Sequence, residues 1–253
     1  MSPSALITGN SSGLGLALSQ TLLDRGYRIH GCSRRGCKEL APQVADVRCD
    51  LSDPEAIAPA LERLLDGVDR LDLVVLNAGI LGEIEDMSRQ SLDQLKALMD
   101  INVWSNKVVL DWLLDSGIEI DQIVAISSGA AVLGNRGWGG YALSKAGLNM
   151  LCRLYAHEFE DSHISAVAPG LVDTRIIDTL LERADAERFP ALQRIQAARG
   201  TDTLLTPERA AERLLEALPA LKDYESGSFI DLRQILAPEE YEQLMAARNR
   251  AGR

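Results

Sequence analysis

Between a short apolar segment, Ala5 to Thr8, and an amphipathic run that reaches Arg25 before Gly26 stops it, the chain carries Gly9-Asn10-Ser11-Ser12-Gly13-Leu14-Gly15. Three glycines so close together let a backbone turn tightly, approach a ligand and bring the following helix against the preceding strand. The helix N-terminus offers free N–H groups and the positive end of a dipole, which suit a pyrophosphate. The spacing Gly-x-x-x-Gly-x-Gly is not the Gly-x-Gly-x-x-Gly of the common dinucleotide fingerprint. It also lacks the Lys-Ser/Thr ending of a P-loop, which weighs against an ATPase. Glycines that serve packing alone would read the same way.

The strand-turn-helix unit recurs. Arg28 to Ser33, Val47 to Cys49 and Leu71 to Leu76 read as strands, with a helix over Pro54 to Leu65. Gln122 to Ser127 and Ile164 to Ala168 read as buried strands, each after a helical stretch (Ser91 to Leu114 and Tyr141 to Glu158), and Ser228 to Leu232 is a last strand. This alternation predicts an α/β fold: a doubly wound parallel sheet, the Rossmann fold, in a single domain over 1–253. Ligands of such sheets sit beyond the carboxyl ends of the strands. Arg175 to Gly200 is rich in Arg, Glu, Asp and Ala, and reads equally as a helical substrate flap or a surface helical pair.

A formal net charge of −11 repels polyanions, which argues against nucleic acid and anionic membrane surfaces as partners. The apolar runs are far shorter than the roughly 20 residues that span a bilayer. No secretory signal is visible at Met1-Ser2-Pro3-Ser4, so the expected compartment is the cytoplasm. Cys32, Cys37, Cys49 and Cys152, and likewise His30, His157 and His163, show no metal-like spacing, so the cysteines are expected as free thiols in or near the core and no metal is expected.

Two further stretches bear on chemistry. Ser33-Arg34-Arg35 ends the second strand, where a carboxylate would accept from a ribose 2′-hydroxyl; two guanidiniums and a hydroxyl instead offer donors to a 2′-phosphate, which favours NADP(H), or else form a solvated loop. Tyr141 and Lys145 are four residues apart, on one face of a helix, where an ammonium can lower a phenol pKa for acid-base work. That spacing by itself fits a surface pair as well.

Taken with the turn at Gly9 to Gly15, Tyr141 and Lys145 give the chain a resemblance to the short-chain dehydrogenase/reductase family. Thr8-Gly9 through Gly15, with Ser11, Ser12 and Leu14, matches its cofactor turn. Asp50-Leu51 resembles the pair that holds adenine, and Asn77-Ala78-Gly79 matches the family's Asn-Ala-Gly, with Leu76 in place of a preceding Asn. Asn102 and Ser128 match the active-site asparagine and serine, and Pro169-Gly170-Leu171-Val172-Asp173-Thr174 is similar to the segment that wraps the nicotinamide.

The resemblance implies hydride transfer between nicotinamide C4 and a substrate carbonyl carbon, with Tyr141 as proton donor. By the same resemblance, Ser128 hydrogen-bonds the oxygen, Lys145 tunes the phenol and holds the nicotinamide ribose, and Asn102 holds a water linking Lys145 to solvent. A closer likeness, to the sepiapterin reductase and benzil reductase branch, rests on Ser127-Ser128-Gly129-Ala130-Ala131, Gly137-Trp138 and Phe229-Ile230-Asp231. It implies a small-molecule carbonyl substrate and makes Asp231 a candidate substrate residue, or else an aspartate ending a surface strand.

Leu133, Trp138 and Leu171 suggest an aromatic or flat apolar substrate. The resemblance also implies a homodimer or homotetramer through the helices near Ser91 and Tyr141, with Val108, Leu110, Met150 and Leu154 as apolar contacts. An NAD-linked alcohol or sugar dehydrogenase and a catalytically silent nucleotide sensor are the alternative readings.

Overall fold

The computed structural model describes residues 2–183 and 187–251. β1 (Ser4–Thr8) is wholly buried, and residues 9–12 lead into α1 (Gly13–Asp24). β2 (Arg28–Ser33) and β3 (Ala45–Arg48) follow. Asp53 starts α2 (Pro54–Leu64): its carboxylate accepts the Glu55 N–H at 3.2 Å, and Pro54 sits in the first turn, where no intrahelical N–H is needed. The strand expected over Leu71 to Leu76 divides at Asp72 into β4 (Arg70–Leu71) and β5 (Leu73–Leu76). There the Asp72 carboxylate accepts the Ser4 N–H at 2.8 Å.

The helix expected from Ser91 to Leu114 is α3 (Leu92–Met99), opened by a Ser91/Gln94 capping box, then a π-helical turn over Asp100–Trp104 and α4 (Ser105–Asp115). β6 (Glu119–Ile120) pairs with β4 outside the main sheet. β7 (Gln122–Ile126), α5 (Ala130–Leu133), α6 (Gly139–Tyr155), β8 (His163–Ala168) and β9 (Leu171–Val172) come next. Arg175 to Gly200 contains α7 (Arg175–Arg183) and α8 (Pro190–Ala198); its residues 184–186 lie outside the described residues. β10 (Leu204–Leu205) pairs with β9 and leads to α9 (Pro207–Leu221), β11 (Ser228–Asp231), α10 (Leu232–Leu236) and α11 (Pro238–Ala251).

The main sheet is parallel throughout, in the order β11-β8-β7-β5-β1-β2-β3. From β1 the chain winds one way to β2 and β3, and from β5 the other way to β7, β8 and β11. The winding reverses between β1 and β5, where doubly wound sheets open a crevice. Strand alternation splits the core: Leu6, Val74 and Ile123 pack under α2, α4 and α6, while Ile7, Val75 and Val124 pack under α1 and α9. A third cluster, with Leu81, Trp138, Ile177, Leu180, Phe189, Leu192 and Ile195, forms a lobe that takes in α7 and α8.

All four cysteines are free and buried. Leu110 is fully buried in the core, so it cannot serve the subunit contact expected of it. The apolar residues that α4, the π-helical turn and α6 expose are Trp104, Leu114, Leu143, Met150 and Leu154. Among the described residues no helix is long and apolar enough to cross a membrane.

Candidate active site

A cavity of about 1020 Å³ opens at the crevice between β1 and β5. Its floor is built from backbone. The Thr8 hydroxyl accepts the N–H groups of Asn77 and Ala78 at 3.0 and 3.1 Å, and Asn77 Nδ2 donates back to the Thr8 carbonyl at 3.0 Å. These bonds lock the ends of the two strands that flank the reversal. Gly15 has no room for a side chain: a Cβ there would lie 2.3 Å from the Gly9 oxygen and 2.5 Å from Asn77 Nδ2. It therefore sets how closely α1 approaches β5, and does not itself line the cavity. Gly9 and Gly13 hold φ of +72° and +55°, which side chains disfavour.

Around this floor stand Gly9, Ser11, Ser12, Gly13 and Leu14 from the turn, Ser33, Arg34 and Arg35 from the end of β2, and Asp50 and Leu51 after β3. Asn77, Ala78 and Gly79 follow β5, and Pro169, Gly170, Leu171, Val172 and Thr174 follow β8. Arg35 Nη2 donates to Ser12 Oγ at 3.0 Å, which ties the arginine loop to the glycine turn. Asp50 accepts the Ser52 N–H at 3.0 Å and its hydroxyl at 2.8 Å, and these bonds hold the carboxyl below its ordinary range. A cradle that Cβ atoms would fill, next to two guanidiniums and several hydroxyls, fits a phosphorylated dinucleotide such as NADP(H).

Across the crevice, Ser128, Tyr141 and Lys145 line the same cavity. Burial pushes the Tyr141 phenol up from its ordinary value, partly opposed by a hydrogen bond with Ser128. Lys145 is buried, donates to the Ile126 carbonyl at 2.7 Å, and is pushed down to about 8 by desolvation. Its Nζ lies 5.8 Å from the centre of the Tyr141 ring. The expected lowering of the phenol by Lys145 is thus not what the structure has: burial dominates both groups, and each is pushed toward its neutral form.

Asn102 stands behind the cavity, wholly buried at the π-helical turn. Its Oδ1 accepts the Ile80 N–H at 2.8 Å, and its Nδ2 donates to the Ile80 carbonyl at 2.8 Å and to Ser144 Oγ at 2.9 Å. Both amide hydrogens are committed to the chain, which fixes the loop after β5 against α6. A Cβ on Gly79 would lie 3.1 Å from Asn102 Oδ1 and 3.4 Å from Lys145 Nζ, so a side chain there would crowd both groups.

Trp138 and Leu171 join the cavity wall, but Leu133 and Asp231 do not. Asp231 caps α10, accepting the Arg233 N–H at 3.0 Å, and also pairs with the Arg233 guanidinium. Ile176, Ile177 and Leu180 of α7 also line the cavity, within the stretch Arg175 to Gly200 that reads as a helical substrate flap, although the sequence does not single out these three residues. Their apolar recurrence along a helix was the available signal.

The model of a family described as short chain dehydrogenase matches residues 3–185. A benzil reductase ((S)-benzoin forming) of Bacillus subtilis is 29% identical over 243 residues, which span 91% of this chain and 98% of that protein. One from Saccharomyces cerevisiae is 30% identical over 246 residues, 89% of this chain and 94% of that protein. Among solved structures, a short chain dehydrogenase/reductase from S. cerevisiae superposes with a TM-score of 0.79 at 24% identity, covering 91% of this chain and 96% of that one. The KRED1-Pglu enzyme superposes at 0.78 with 25% identity, covering 90% of this chain and 100% of that one.

Proposed function

The chain belongs to the short chain dehydrogenase family, whose members are oxidoreductases working with a nicotinamide cofactor, and we propose that it is an NADP(H)-dependent carbonyl reductase acting on a ketone or diketone. The observation that carries this reading is the meeting of Ser128, Tyr141 and Lys145 in a cavity that also holds Arg34, Arg35 and Ser12. Benzil reductase relatives that match nearly the whole chain support the diketone.

When bound, NADPH supplies a hydride to the carbonyl carbon. Tyr141, kept protonated at neutral pH by burial, gives its proton to the carbonyl oxygen, so that hydride and proton together make the alcohol. Ser128 donates a hydrogen bond to the same oxygen, and that bond strengthens as negative charge develops there. Lys145 spends one N–H on Ile126 and keeps others for the nicotinamide ribose, while its positive charge stabilises the phenolate left when Tyr141 gives up its proton. Asn102 Oδ1, which among the described residues accepts only the Ile80 N–H, retains a lone pair for a water that would carry protons from solvent toward Lys145. Arg34 and Arg35 select the 2′-phosphate through charge-assisted bonds.

Trp138, Leu171, Ile177 and Leu180 form an apolar wall that suits a flat substrate. The exposed apolar residues of α4, the π-helical turn and α6 suit a homodimer or homotetramer, which light scattering tests. Free cysteines suit the reducing cytoplasm. Steady-state reduction of benzil and acetone tests the activity: benzil is reduced faster, and equal rates count against the apolar wall.

A further inference from the structure

Three segments distant in sequence meet beside Trp138. The loop after β5 brings Glu85 and Asp86, the segment between α5 and α6 brings Arg136 and Gly137, and the segment between α7 and α8 brings Arg188 and Phe189. Arg188 donates from Nη1 to Glu85 Oε2 at 3.1 Å, and from Nη2 to Glu85 Oε1 and to Asp86 Oδ2, the last at 2.7 Å. Arg136 holds the same Asp86, from Nε at 2.6 Å and Nη2 at 2.8 Å. The two guanidiniums stand 4.9 Å (Arg188) and 5.8 Å (Arg136) from the centre of the Phe189 ring.

Phe189 is only 2% exposed and lies directly on Gly137, where a Cβ would come within 2.7 Å of Phe189 Cδ1. Gly137 in turn accepts the Glu85 N–H at 3.2 Å, beside Trp138, whose ring centre is 6.1 Å from that of Tyr141. Adjacent carboxylates repel unless cations sit between them, and a planar guanidinium satisfies both while its face covers an aromatic ring.

We propose that Arg188 is a positioning residue: by fastening Phe189 onto Gly137 it holds Trp138 in the cavity wall that a carbonyl substrate meets. The ion pairs are partly exposed, so salt weakens this fastening while leaving the crevice between β1 and β5 alone. The kinetic consequence rests on the carbonyl-reductase reading; the structural one does not.

Acrylamide quenching of Trp138 fluorescence, in a full-length background with Trp104→Phe and Trp112→Phe, reads the fastening without any turnover. Arg188→Met is expected to raise the quenching constant about threefold, with partial recovery in Arg188→Lys, and about 1 M salt raises it in the parent. Asp86→Asn, which leaves the Arg188 to Glu85 pair in place, gives a smaller rise and serves where Arg188→Met does not fold. In Arg188→Met, KM for benzil rises about tenfold while kcat and the NADPH Kd stay within about twofold. Parent-like quenching in the variants, or a loss of NADPH affinity equal to the loss for benzil, overturns the inference. A parent that reduces no carbonyl sinks the proposed activity, and the quenching still decides the role of Arg188.

Discussion

The two halves of the cavity are held by different forces. At the crevice between β1 and β5, Thr8, Asn77 and Gly15 are joined by short bonds and contacts that leave no space for a methyl group. At the lobe of α7 and α8, an apolar cluster is closed by ion pairs from partly exposed arginines. Steric closeness is indifferent to salt, whereas exposed charge pairs are screened by it. The half at the crevice is therefore built to keep one shape, and the half at the lobe to keep a shape that can be changed by altering a few surface charges.

Tyr141→Phe gives the largest effect expected of this division, because it removes the proposed proton donor and leaves both walls standing. Its kcat for carbonyl reduction falls about 10³-fold with the NADPH Kd unchanged, as fluorescence titration would read; full activity would remove the mechanism. Gly15→Ala strikes the rigid half. Overpacking of about 1–3 kcal/mol lowers the melting temperature and weakens NADPH binding, and an unchanged Kd would show that the crevice has slack.

Arg34→Ala combined with Arg35→Ala lowers the NADPH-over-NADH preference in kcat/KM about tenfold or more, while the benzil KM stays put. Last and smallest is a pH effect. Lys145 must be charged to play its part and is pushed down to about 8, so kcat/KM holds steady below that pH and declines as pH rises through it. The Tyr141 phenol, pushed upward, stays protonated across the same range. A profile flat well beyond pH 9 would deny Lys145 this part.

The same contrast governs what the chain discloses before it is folded. The doubly wound parallel sheet was legible because each strand and each turn is a local pattern of glycine spacing and alternating apolar residues, whereas the strand order that sets the crevice between β1 and β5 comes from pairings between distant segments. Even so, α9 went unread, although Thr206 and Pro207 signal its start, with Thr206 Oγ1 accepting the Arg209 N–H at 3.2 Å. The fastening of Arg188 to Glu85 and Asp86 joins residues about a hundred positions apart, and no spacing rule predicts such a pair. Asp231 illustrates the opposite failure. A resemblance suggested a substrate contact, and the side chain is taken up in capping its own helix.

The balance between Tyr141 and Lys145 was also out of reach, since a four-residue spacing gives proximity but not the burial that decides which protonated form wins.

The central claim, an NADP(H)-dependent carbonyl reductase, is tested most directly by measuring kcat/KM for benzil reduction with NADPH and with NADH on the same preparation. The expected result is turnover with both and a preference for NADPH of about tenfold or more, the scale of one or two charge-assisted bonds to the 2′-phosphate. A preference for NADH, or no oxidation of either cofactor, would contradict it.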